Sequence, residues 1–151
     1  MTQSSQSGWT LLQLMLALLI LGILIMVAVP RQQNYYDRVK LAQAVKDISV
    51  ISLALDDIRT DQGVLPNNLV DIGMGGNLDP WGHPYQYVNI RSAKGNGNLR
   101  KDRNLVPINT DYDLYSMGPD GASAGPLSAK TSQDDIIRAS DGGFIGPVSE
   151  F

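Results

Sequence analysis

The chain has 151 residues, enough for one ordinary domain or a small domain with an appendage. A net charge of −3 is too mild to point to a polyanion partner. With no cysteine and one histidine, His83, disulfides, thiolate chemistry and multi-histidine metal centres are excluded.

The charges are unevenly spread. Residues 1–30 carry no Asp, Glu, Lys or Arg, so all 12 basic and 15 acidic side chains follow them. Trp9 to Val29 is a run of 21 residues whose polar members are Thr10 and Gln13. At 1.5 Å per residue a helix there is about 31 Å long and matches a bilayer core, so a transmembrane helix is predicted. A cleaved secretory signal ending at Ala28 fits less well, because the run is long and no basic residue precedes it. Arg31, Arg38 and Lys40 follow the run, and a positive-inside count would hold the body in the cytoplasm. The rule weakens when a long domain follows, so charge alone leaves the orientation open.

The helical period continues past the run. Leu41, Val45, Ile48, Ser52 and Leu55 step by fours and threes, as do Ala44, Ile48, Ile51, Leu55 and Ile58. Both rows lie on one face of a helix. Residues 10–59 therefore read as one element about 75 Å long. Pro30 is expected to kink it and Gly22 to soften it. After Arg59 the sequence turns to Asp61-Gln62-Gly63, Pro66-Asn67-Asn68, Gly73–Gly76 and Asp79-Pro80-Trp81-Gly82, all turn signals. Tyr85–Ile90 and Tyr112–Ser116 read as strands, separated by a basic Gly/Asn-rich loop over Arg91–Arg103. Weak pairing is expected over Asn104–Ile108, loop over Gly118–Ser132, and a short last strand at Phe144-Ile145. With few large apolar side chains, residues 60–151 need the stem helix, or a metal, to complete a core.

Several local patterns invite a chemical interpretation. Gly121-Ala122-Ser123-Ala124-Gly125 matches the hydrolase nucleophile elbow by letter, but Pro126 follows it and the only histidine precedes it. Trp81 is expected to anchor its turn in the core, and His83 to sit exposed in a loop. Arg91, Lys94, Arg100, Lys101 and Arg103 form a basic loop without interleaved aromatics, so nucleic acid is not an expected partner. Asp120, Asp134 and Asp135 could offer hard oxygen ligands to Ca²⁺. They could equally be turn and cap residues.

A family resemblance joins these pieces. Gly8-Trp9-Thr10-Leu11-Leu12-Gln13-Leu14, the charge-free run and Pro30 resemble the class III signal of type IV pilins and pseudopilins. Asp79-Pro80-Trp81-Gly82-His83-Pro84-Tyr85-Gln86-Tyr87, Asp113–Gly121 and Asp134-Asp135-Ile136 are similar, in order, to segments of the major pseudopilin of type II secretion. The resemblance implies an α+β pilin-like fold, with a long N-terminal helix packed on a small antiparallel sheet. It implies a leader over residues 1–8, an assembly and membrane helix over 9–29, an amphipathic stem over 30–59 and a globular domain over 60–151. A peptidase would cut between Gly8 and Trp9 and methylate the new terminus. The body would be periplasmic, and the anchor would sit in a bacterial inner membrane.

The implied function is structural rather than enzymatic: a subunit of a secretion pseudopilus or a related filament. Its partners would be its own copies, other pseudopilins, the prepilin peptidase and the inner-membrane secretion platform. A minor or tip pilin, displayed as an adhesive or ligand-binding module, is the alternative. By position, the carbonyl of Met117 and the carboxylates of Asp120, Asp134 and Asp135 would hold a structural Ca²⁺. Gln13, Gly22 and Pro30 would serve assembly. Four departures stand out: a leader without Lys or Arg, Gln13 where the family has Glu, a longer loop between Asp120 and Asp134, and an altered ending over Ile136–Phe144. Gln can accept a hydrogen bond but cannot neutralise a neighbour's terminal amine, and a buried unpaired charge costs several kcal/mol.

Overall fold

The computed structural model describes residues 6–95, 97, 99–103 and 105–151; for 6–9 and 27–34 it describes the backbone alone. The chain divides into two compact units, Met1–Val39 and Lys40–Phe151. One helix, α1, runs Gln6–Gln62, three residues beyond the expected end at Arg59. It continues through Pro30, whose side chain, like that of Trp9, lies outside the described residues, and Gly8 is described by its helical backbone alone. In the first unit every described large apolar side chain from Leu11 to Met26 is 50–79% exposed. Among the described residues no helix is long and apolar enough to cross a membrane. The charge-free run is described with side chains only over residues 10–26.

The second unit is built on a four-stranded sheet in the order β1-β2-β3-β4, comprising Gln86–Asn89, Tyr112–Ser116, Ile136–Ala139 and Phe144–Pro147. All three pairings are antiparallel. β2 falls where expected, β1 is shorter than Tyr85–Ile90, and β4 is longer than Phe144-Ile145. Of the pairing expected over Asn104–Ile108, Asn104 lies outside the described residues; Leu105 bridges to Asp102, and the Ile108 N–H donates to the Arg100 carbonyl at 3.1 Å.

β3 was not expected at all. Ile136-Ile137-Arg138-Ala139 is only four residues long, carries a charge, and stands between Asp134-Asp135 and Ser140-Asp141-Gly142-Gly143. Local composition therefore argues against a strand. The element is decided by its place between β2 and β4, where all four residues are buried.

Strand alternation sends side chains to two cores. On one face, Tyr112, Leu114 and Ile136 pack with Ala44, Ile48, Ile51 and Leu55 of α1, with Leu69 and Tyr85 alongside. Of the two rows on the helix, the one through Ala44, Ile48, Ile51 and Leu55 is buried, whereas Leu41 and Val45 are half-buried. Trp81 packs against the same cluster, the anchor expected of it. On the other face, Ile137, Ala139, Ile108, Leu127 and Val148 form a smaller cluster. The Tyr85 hydroxyl donates to Asp47 Oδ2 at 3.0 Å and pins the start of the sheet to α1. Burial, and then that hydrogen bond to a carboxylate, pushes the phenol far up from its usual range.

Candidate functional site

The three body segments that carry the sequence resemblance meet at one end of the sheet. Asp79 is the hub of the first. Its buried Oδ1 accepts the N–H of Trp81 at 3.0 Å and of His83 at 2.8 Å, closing the Pro80-Trp81-Gly82 turn. Its Oδ2 accepts the Ser116 hydroxyl at 2.5 Å, which ties the turn to the end of β2. The Ser116 oxygen in turn accepts the Gly118 N–H at 3.1 Å. An aspartate before proline in a turn looks like ordinary turn chemistry; here it joins two signature segments.

His83 does the same from the other side. Its Nδ1 lies 3.1 Å from the Gly118 carbonyl oxygen, and its ring lies against Gly121. It is half-buried rather than the exposed loop residue expected. Gly118 has φ +65°, and a Cβ there would stand 2.4 Å from the Asp134 carbonyl oxygen. Glycine is thus required twice over, by conformation and by space.

The structure brings Asp120 and Asp134 together: the Asp120 N–H donates to Asp134 Oδ2 at 3.4 Å. Asp120 Oδ1 accepts the Ala122 N–H at 2.8 Å, a local turn bond. Asp135 faces elsewhere. Fully buried, its Oδ2 accepts Arg100 Nη2 at 2.5 Å and the Ser123 hydroxyl at 2.5 Å. Burial pushes the Asp135 carboxyl up from its usual range, against the pull of Ser123 and Arg100. Asp120 and Asp134 thus share a hydrogen bond, while Asp135 is bound to Arg100 and Ser123. Among the described residues no group of three or more His, Asp or Glu is set to hold a metal ion.

Sequence reasoning missed this second polar core. Arg100 belongs by sequence to the basic loop, yet it is 2% exposed. Its Nη1 donates to the Ala124 carbonyl at 2.7 Å and to the Ser123 hydroxyl, and its guanidinium lies 4.3 Å over the Tyr115 ring. Ser123, the would-be elbow nucleophile, is therefore held by Arg100 and Asp135. Asp113, also buried, accepts the Arg100 backbone N–H at 2.7 Å and Asn109 Nδ2 at 2.9 Å. Its carboxyl is pushed up by burial, and those two donors only partly offset the rise. A signal was present in β2: Tyr-Asp-Leu-Tyr-Ser places an Asp between apolar residues, where an unpaired charge would be costly.

Two comparisons return nothing: no family model and no solved structure matches the chain. Curated proteins do match. The chain is 32% identical to the type II secretion system core protein G of Pseudomonas aeruginosa over 146 residues, covering 83% of this chain and 92% of the relative. It is 31% identical to the protein of the same name from Aeromonas hydrophila, covering 80% of this chain and 88% of the relative. It is 24% identical to the type IV major pilin protein of Neisseria gonorrhoeae, covering 95% of this chain and 88% of the pilin.

Proposed function

The chain belongs to the family of the type II secretion system core protein G and is a structural, pilus-like subunit in secretion; from that premise we propose that it polymerises through its charge-free N-terminal run. In this reading it is anchored in a bacterial inner membrane, with residues 60–151 in the periplasm. The observation that carries the reading is the surface of α1. Thirteen large apolar side chains between Leu11 and Met26 are at least half exposed in the single chain. So much contiguous apolar surface needs a cover, either lipid or the helices of neighbouring subunits. The run would meet both in turn, lipid before assembly and neighbouring copies after it. Other pseudopilins share the filament, a prepilin peptidase acts between Gly8 and Trp9, and the inner-membrane platform drives extension. The chain works by packing, with no catalytic step.

Gln13 favours a second reading, that of a minor or tip subunit. A chain that cannot neutralise a neighbour's terminal amine is best tolerated at a filament end. Co-expression with the peptidase, the platform and partner pseudopilins, followed by immunogold labelling, separates the two. Label along the filament length is expected for the first reading and label at the ends for the second. Filaments devoid of the chain would sink both. In the same system Gln13→Glu should raise filament yield, because its carboxylate can pair with the terminal ammonium. Unchanged or lower yield would mean that Gln13 has a partner of its own.

A further inference from the structure

The buried polar core behind the sheet bears on what holds the 118–135 loop in place. A calcium ion that ties a loop does so by collecting oxygens of several kinds: carboxylate, hydroxyl or amide, and backbone carbonyl. The Arg100 guanidinium already collects such a set. It reaches the Asp135 carboxylate at 2.5 Å, the Ala124 carbonyl at 2.7 Å and the Ser123 hydroxyl. These groups come from distant parts of the chain. Arg100 lies near the end of the basic loop, Ser123 and Ala124 lie in the long loop, and Asp135 immediately precedes β3. The Arg100 backbone is itself fixed, its N–H on Asp113 of β2 and its carbonyl accepting the Ile108 N–H at 3.1 Å. Tyr115 provides an aromatic floor beneath the guanidinium. Arginine is always charged and its fork is rigid, so it can stand as a permanent cation in a way that a lysine would not.

We propose that Arg100 is the resident cation of this loop, replacing a metal ion, so that the fold of this chain does not depend on calcium. Asp120 and Asp134, which Arg100 does not reach, keep to local backbone bonds at the surface side of the loop. The proposal holds whether or not the chain polymerises, so its test is independent of the filament experiments. One atom marks the competing outcome. Asp135 Oδ1 is buried without a hydrogen-bond partner among the described residues, and a calcium ion could still claim it.

The test uses the full chain in detergent micelles. Its melting temperature is compared in millimolar CaCl₂ and in EGTA, and retention of radioactive calcium is measured by equilibrium dialysis. The expected result is a difference within about 1 °C and no retained calcium, since a ligand that does not bind the native state cannot stabilise it. A melting temperature several degrees higher in calcium, or retention near one ion per chain, overturns the proposal. The pairing is tested with Arg100→Gln, Asp135→Asn and the double variant. Each single change should lower the melting temperature by about 10 °C, and the double should fall by clearly less than the sum. Additive losses would mean that the two side chains do not act on each other. If Arg100→Gln does not fold, Arg100→Lys keeps the charge while losing the fork. It should melt lower than the parent and equally in calcium and chelator, and a calcium response there overturns the proposal as well.

Discussion

Charged side chains read as surface in a sequence, because few are ever buried unless paired. Arg138 breaks that expectation beside Arg100. Its Nη1 and Nη2 donate to the two oxygens of Asp111 at 2.8 and 2.9 Å, and its guanidinium lies 4.0 Å over the Tyr112 ring. Arg138→Ala leaves Asp111 with the Tyr112 N–H at 2.6 Å and, as its remaining cation among the described residues, Arg59 at 3.3 Å, and should cost about 3 kcal/mol in urea unfolding. Burial pushes the Asp111 carboxyl up, but Arg138 and the Tyr112 N–H pull it further down, so it is held below its usual range. Its contribution is therefore full above about pH 4 and is lost as pH falls through its folded value. Asp113 and Asp135 are raised, so their dependence has the opposite sign: their contribution is full below about pH 4 and shrinks as pH rises through their folded values. Asp111→Asn should accordingly flatten the loss of stability between about pH 5 and pH 3, measured as unfolding free energy across a pH series. Gly118→Ala, which drives a Cβ into the Asp134 carbonyl at a positive φ, should cost about 1–3 kcal/mol in the same assay.

Elements with a strong period were legible, and the one without a period was not. The face of α1 through Ala44, Ile48, Ile51 and Leu55 follows from spacing alone, and it is the face that meets the sheet. Ile48→Ala should destabilise the second unit by about 2–5 kcal/mol. Leu53→Ala, 65% exposed on the same helix, should change unfolding of the single chain by about 0.5 kcal/mol or less. Thermal unfolding of the two variants side by side checks both. β3 carries no comparable signal. Its charge is neutralised by Asp111, 27 residues away in sequence, and no local window can register that partner. The turn at Asp79 was legible as a turn, but not as the link to Ser116, for the same reason.

For the whole molecule, the uneven placement of charge is the dominant fact, and sequence alone carries it. A run with no ionisable side chain, followed by a polar body, predicts placement, and the resemblance of Gly8–Leu14 to the prepilin signal implies processing. The chain isolated from its native membrane should begin at Trp9, with a methylated amine, by intact-mass and N-terminal peptide analysis. Retention of Met1, or a start after Ala28, would count against this. The long helix, its buried face, the strand at Tyr112–Ser116 and the ordered signature segments were also determined by the sequence itself. Each depends on spacing or turn chemistry within a few residues. Only the tertiary structure decided that the sheet has four strands, that His83 bridges two turns, and that Arg100 and Arg138 are internal. Those features depend on partners far along the chain, brought together when both faces of a small sheet are covered. A buried charge is tolerable only where such a partner waits for it, and the fold alone says where that is.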